Sequence, residues 1–140
     1  MKNIFLDTNV IIDFLADQRP FSLLAAKIFN YSLEGKVKVF IPAVSYNNIY
    51  YILRQSLTNR EIIKLLDELC EMTEIADVAK TIIKKSLKTD FKDFEDAIQY
   101  NCALSADKID LIVTRDTKDF KNSTWPVLTP EEALSSLKGA

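Results

Sequence analysis

The sequence predicts an α/β domain, a three-layer sandwich with a mostly parallel central sheet flanked by helices, over residues 1–140 as a single unit. Three observations lead there. Short apolar runs alternate with stretches of helical spacing along the whole chain, the pattern of repeated strand and helix units. Two of those runs stop abruptly at an acid. Finally, 140 residues with 48% apolar content suffice for one domain with a real core, and not for two ordinary ones.

Ile4, Phe5 and Leu6 predict a strand buried on both faces, and Val10, Ile11 and Ile12 the start of a helix. Between them stands Asp7-Thr8-Asn9. An acid thus occupies the C-terminal end of a strand, the edge where open parallel sheets bind ligands. Asp and Thr are also preferred helix caps, so at Asp7 alone the two roles weigh evenly. Arg19-Pro20 breaks the pattern, and Leu23, Leu24, Ile28 and Phe29 mark a helix stopped by Gly35. Val37, Val39, Phe40 and Ile41 form a second strand ended by Pro42. Helical spacing resumes at Ser45 and runs through Ile49, Ile52 and Leu53 to Arg54. Thr58 and Glu61 make a capping box for a helix whose buried stripe is Ile62, Leu65, Leu66 and Leu69. A brief strand is expected near residues 72–76.

Over residues 77–87, Ala79, Ile82, Ile83 and Leu87 mark one helix face, while Lys80, Lys84 and Lys88 stand four apart on another. That row reads as a solvated surface in preference to a phosphate track. A helix over residues 93–105 and a strand over 109–114, ending in Arg115-Asp116, follow. Val127 and Leu128 form the last strand. Thr129-Pro130-Glu131-Glu132 is a capping box with proline at the first helical position, opening a C-terminal helix. No internal repeat, low-complexity tract or linker stands out, and strand order is not legible in these patterns.

The chemistry is bounded by composition. Net charge is −2 and the isoelectric point about 5.2, so a polyanion has to be met by a local patch or through bound cations. Cys70 and Cys102, both in apolar helical contexts, are expected to be reduced, buried thiols. There is no histidine, which removes Ser-His-Asp and Cys-His nucleophilic schemes and the usual zinc sites. Carboxylates remain as acids, bases and ligands. Residues 4–6 are too short for a signal segment and no apolar run approaches membrane-spanning length, so a cytoplasmic protein with no membrane partner is expected.

The two acid-ended strands, Ile4-Phe5-Leu6 into Asp7 and Leu111-Ile112-Val113-Thr114 into Arg115-Asp116, put Asp7 and Asp116 on one edge of a parallel sheet, with Asp119 close behind. Asp93, Glu95 and Asp96 occupy the first turn of a helix, where the dipole keeps carboxylates ionised and capping is the ordinary role. If Asp7, Asp96 and Asp116 lie within about 5 Å, each pair repels by roughly 3 kcal/mol at an effective dielectric near 20. Such a cluster needs a cation or shared protons. All-oxygen ligation selects Mg²⁺ or Mn²⁺, and the chemistry such an ion supports is phosphodiester hydrolysis.

FLDTNVIID, IPAVSYNNIYYIL, DFEDAIQYNCAL, IVTRDTKDF and WPVLTPEEAL, in this order, resemble the PIN-domain ribonucleases, which include the toxins of VapBC-type toxin–antitoxin pairs. The resemblance covers essentially the whole chain. It implies metal-dependent RNA cleavage, with Asp7, Asp96 and Asp116 as catalytic metal ligands and Asp119 as a fourth acid. Thr8 and Thr114 would orient carboxylates or water on the substrate side. A partner antitoxin and a homodimer are implied as well. One position departs from the pattern: the family usually carries a glutamate on the helix after the second strand, where this chain has Asn48, or Asn47 if the alignment shifts by one. Asparagine can still ligate through a neutral oxygen, but it takes no proton from water and removes one negative charge. The alternative implied is a catalytically weakened domain that binds RNA or a protein partner. A haloacid-dehalogenase-like phosphatase also places an Asp after its first strand, but it needs a second acid where Asn9 stands.

Arg115 and Lys118 are candidate phosphate contacts, with Lys121 on the same loop; a surface salt bridge is the competing role for Arg115. Tyr46, Tyr50 and Tyr51 suit either base stacking or packing, and packing is favoured because apolar helix positions flank them. Trp125 before Pro126 reads as structural.

Overall fold

The computed structural model describes residues 1–105, 109–120 and 123–138 of the 140. Lys121 lies outside the described residues. Five strands form one sheet among the described residues: β1 (Lys2–Leu6), β2 (Val37–Pro42), β3 (Glu74–Ala76), β4 (Leu111–Val113) and β5 (Val127–Leu128). Their order is β3-β2-β1-β4-β5, and all four pairings are parallel. The sheet is therefore wholly parallel, and the first of these five strands in chain order is its centre.

Helices α1 (Thr8–Leu15), α2 (Phe21–Leu33), α3 (Ala43–Leu53), α4 (Asn59–Met72) and α7 (Pro130–Lys138) cover one face. α5 (Lys80–Lys88) and α6 (Phe94–Ser105) cover the other. The pleat explains the division. Ile4, Leu6, Val39, Ile41 and Val113 project into the first core, while Phe5, Phe40 and Ile112 project into the second with Ile98, Cys102 and Phe120. Burying each of these side chains contributes roughly 1.5–3 kcal/mol.

Local signals set most boundaries. Gly35, at φ +75°, follows the C-terminal turn of α2 in a left-handed conformation that costs glycine nothing. Both capping boxes form. The Thr58 hydroxyl accepts from the Glu61 N–H while Glu61 accepts from the Thr58 N–H, and Thr129 and Glu132 repeat the exchange.

Three expectations change. α5 begins at Lys80, not at residue 77, because the chain leaving β3 stays extended while the Ala76 and Asp77 carbonyls accept from the Cys102 thiol. β4 is confined to Leu111–Val113; just before it Asp110 is tied to Asn3 twice, its N–H donating to the Asn3 carbonyl at 2.8 Å and its carboxylate accepting from the Asn3 N–H at 2.7 Å. Cys70 is exposed, since it lies off the Ile62, Leu65, Leu66 and Leu69 stripe by which α4 packs on the core; Cys102 is buried, and both thiols are free. Lys80, Lys84 and Lys88 are exposed, as a solvated face requires. Among the described residues, no helix is long and apolar enough to cross a membrane.

Candidate functional site

The C-terminal ends of β1 and β4 lie side by side, since Leu6 pairs with Val113 and the Asp7 N–H continues the ladder to the Val113 carbonyl at 3.0 Å. Asp7 is nearly fully buried there, and its capping role is realised. Oδ1 accepts from the Thr8 N–H at 2.8 Å and caps α1, while Oδ2 accepts from the Thr114 hydroxyl at 2.7 Å. Burial pushes the Asp7 carboxyl above its ordinary pKa, the Asp119 charge adds to that, and the hydrogen bonds from Thr114, Thr8 and Gln99 oppose it.

Asp96 comes to Asp7 from the first turn of α6. The cap of that turn is Asp93, whose carboxylate accepts from the Asp96 N–H at 3.2 Å, so the Asp96 carboxylate is not the cap. Burial raises the Asp96 pKa, and Asp119, Asp7, Asp93 and Glu95 raise it further, to about 7. Asp119, on a 3-10 turn over Thr117–Phe120, is also raised, by burial and by Asp116, with which its carboxyl shares a hydrogen bond. A second carboxyl contact, to Asp96, works in the opposite direction. The acid nearest Asp7 and Asp96 electrostatically is thus Asp119. Asp116 stands behind it, exposed, its N–H bonded to the Thr114 hydroxyl at 3.1 Å.

Asn48 is the asparagine that reaches the site. It is half-buried on α3 and hydrogen-bonds the Glu95 side chain, whereas Asn47 is exposed. Glu95 is held on its other side by the Gln99 amide at 3.2 Å, and the Gln99 carbonyl accepts from the Thr8 N–H at 3.4 Å. Burial, with Asp93 and Asp7, raises the Glu95 pKa. The Thr8 hydroxyl meets Ser45 at 2.7 Å, leaving its N–H as the group that serves Asp7. Asn9 links the two strand ends, donating to the Thr114 hydroxyl and accepting from the Arg115 N–H, both at 3.4 Å.

Beside the acids lies a cleft of about 600 Å³ lined by Asp90, Phe91, Lys92, Asp93, Asp96, Lys118 and Asp119. Lys118 is therefore close to the site. A larger hollow of about 760 Å³, between α2 and α7, contains none of these acids. Arg115 pairs with Asp13, which is 1% exposed, so its ion-pair partner is a buried acid and not a surface one. Tyr46 and Tyr50 pack on the core, while exposed Tyr51 lies under Arg54. Trp125 packs edge-on against Tyr100.

Asp13 and Gln99 carry no weight in the sequence reading, although both were within reach of it. Asp13 falls three residues after Val10, on the same inward side of α1, and Gln99 falls one turn after Glu95.

The donor set is hard and anionic, which suits Mg²⁺ or Mn²⁺. Its arrangement does not: among the described residues no three acidic side chains form a group able to hold a metal ion. Repulsion is met instead by raised carboxyl pKa values and by carboxyl-to-carboxyl hydrogen bonds.

The family model for the PIN domain matches residues 3–118. Ribonuclease VapC1 of Aquifex aeolicus (strain VF5) is 26% identical over 136 residues, covering 94% of this chain and 92% of that protein. Among solved structures, VapBC2 from Rickettsia felis, bound to a DNA fragment from their promoter, superposes with a TM-score of 0.67 at 14% identity, over 90% of this chain and 96% of that one. A toxin–antitoxin complex from Klebsiella pneumoniae gives 0.66 at 21% identity, over 91% and 97%. With the parallel sheet and the acids at its C-terminal edge, these matches show that the chain belongs to the PIN-domain family.

Proposed function

We propose that this chain is a PIN-domain module that binds RNA through the C-terminal edge of its sheet, with an acidic centre weakened for metal-dependent hydrolysis. Asn48 carries this reading. A neutral amide stands where the resembled family has a carboxylate, and it is spent on a hydrogen bond to Glu95. Losing that anion lowers the affinity of the cluster for a divalent cation and removes a proton acceptor for water. An antitoxin-type protein partner belongs to the same proposal, supported by the description of the Klebsiella relative as a toxin–antitoxin complex.

A second reading, an active endoribonuclease using Mg²⁺ or Mn²⁺ at Asp7, Asp96 and Asp116 or Asp119, is favoured by one observation. The Asp119 charge raises the pKa of both Asp7 and Asp96, and Asp7 raises that of Asp96, so acids from three separate elements act on one another. The name of the Aquifex relative, a ribonuclease, agrees with it. A mixed RNA pool incubated with each metal separates the two. Cleavage by Asn48→Glu but not by the parent supports the weakened module; equal cleavage by both, abolished in Asp7→Asn, establishes the enzyme instead.

A further inference from the structure

Arg115 is restrained from two directions. Its Nε contacts Asp13 Oδ2 at 2.6 Å, and its guanidinium lies 4.4 Å from the centroid of the Phe21 ring. One contact fixes the edge of the plane and the other fixes its face. The pairing is single-ended, because Asp13 Oδ1 is buried with no hydrogen-bond partner. Among the described residues no other acid pairs with this guanidinium, and its side chain is 36% exposed.

This is a costly way to make a surface tie. Asp13 is 1% exposed and sits in an otherwise apolar stretch of α1, and a buried carboxylate with one oxygen unsatisfied lowers stability relative to an apolar side chain. What the arrangement gains is a guanidinium of fixed orientation next to Thr114, whose hydroxyl holds Asp7. A polyanion approaching an edge lined with Asp7, Asp96, Asp116 and Asp119 needs such a cation, and the Nη edge matches two oxygens of one phosphodiester.

We propose that Asp13 is a positioning residue that holds Arg115 to bind a backbone phosphodiester of single-stranded RNA at the acidic edge of the sheet. This rests on the RNA-binding reading above and goes beyond it by naming the anchoring residue.

The test is fluorescence anisotropy of a dye-labelled, mixed-sequence single-stranded RNA in EDTA, titrated with the intact chain at several KCl concentrations. Arg115→Ala is expected to weaken binding about tenfold and to reduce the salt slope by about 0.7, the loss of one phosphate contact. Asp13→Asn is the deciding variant. Deleting a negative charge beside a bound polyanion tightens binding by simple charge balance, whereas loss of positioning weakens it, here by at least threefold. Circular dichroism checks that the variant is folded. Phe21→Leu, at a half-exposed site, removes the stacking face and is expected to weaken binding in the same direction even if Asp13→Asn does not fold. Tighter or unchanged binding by folded Asp13→Asn, or by Phe21→Leu if it does not fold, overturns the proposal and leaves the RNA reading standing. No RNA binding by the parent chain overturns both. Displacement of the RNA by polyglutamate at equal charge concentration overturns the phosphodiester assignment in favour of an acidic protein.

Discussion

The Thr114 hydroxyl donates to the Asp7 carboxylate at 2.7 Å across 107 residues of sequence, and also accepts from the Asp116 N–H and the Asn9 amide. One oxygen thus ties together the ends of β1 and β4 and the loop that carries Asp116. Thr114→Val keeps the shape and removes all three bonds. It is expected to lower the unfolding free energy by about 1–2 kcal/mol, the scale of losing a buried hydrogen bond, as read by urea titration. The Asp7 carboxyl should also move further above its ordinary range.

Asp96 makes stability depend on pH in a defined sense. Its carboxyl titrates near 7 in the folded chain and near 3.8 when unfolded, so between those values the native state holds more protons. Stability therefore falls as pH rises from about 4 to about 7. Asp96→Asn removes this contribution: the variant should equal the parent at pH 4 and be the more stable of the two at pH 8. Urea unfolding at both pH values gives the comparison, and a variant less stable at pH 8 refutes the argument.

Gln99 is 1% exposed and supports Glu95 with its amide. That bond holds the Glu95 pKa down against burial and its acidic neighbours. Gln99→Leu should raise it further, visible as a shifted side-chain carboxyl titration by NMR. An unmoved Glu95 titration means that Asn48 alone orients the carboxylate.

The Thr58 capping box stands on a helix whose packing is limited to one stripe, so its loss should read out simply. Thr58→Ala is expected to cost about 1 kcal/mol with an unchanged urea m-value.

The elements were legible where a local cause suffices. Gly35, the two capping boxes and the apolar runs of β1 and β2 each act within a few residues, and all form as expected. The sheet edge that carries Asp7 was legible for a related reason, because the end of a parallel strand is a ligand edge in any strand order. What could not be read depends on partners far away in the chain. Asp119, seated by one short 3-10 turn, acts on the charges of Asp7 and Asp96 more strongly than Asp116 does. Asn48 meets Glu95 through the approach of α3 to α6, and Arg115 meets Asp13 across more than a hundred residues. α5 starts later than its periodicity predicts, because the carbonyl contacts of Ala76 and Asp77 to Cys102 outweigh the helical spacing of residues 77–79.

The place of β1 at the centre of the sheet has a consequence for the order of synthesis. β1 leaves the ribosome before both of its neighbours, β2 and β4, and the second of these begins at Leu111. Until Val113 and Thr114 are made, Asp7 lacks both the carbonyl that receives its N–H and the hydroxyl that holds its carboxylate. The acidic centre is therefore completed only after β4 has been made. A chain stopped before residue 111 carries Asp7, Asp13 and Asn48 but not the arrangement that makes them a site, so the assembled site reports that synthesis has passed Thr114.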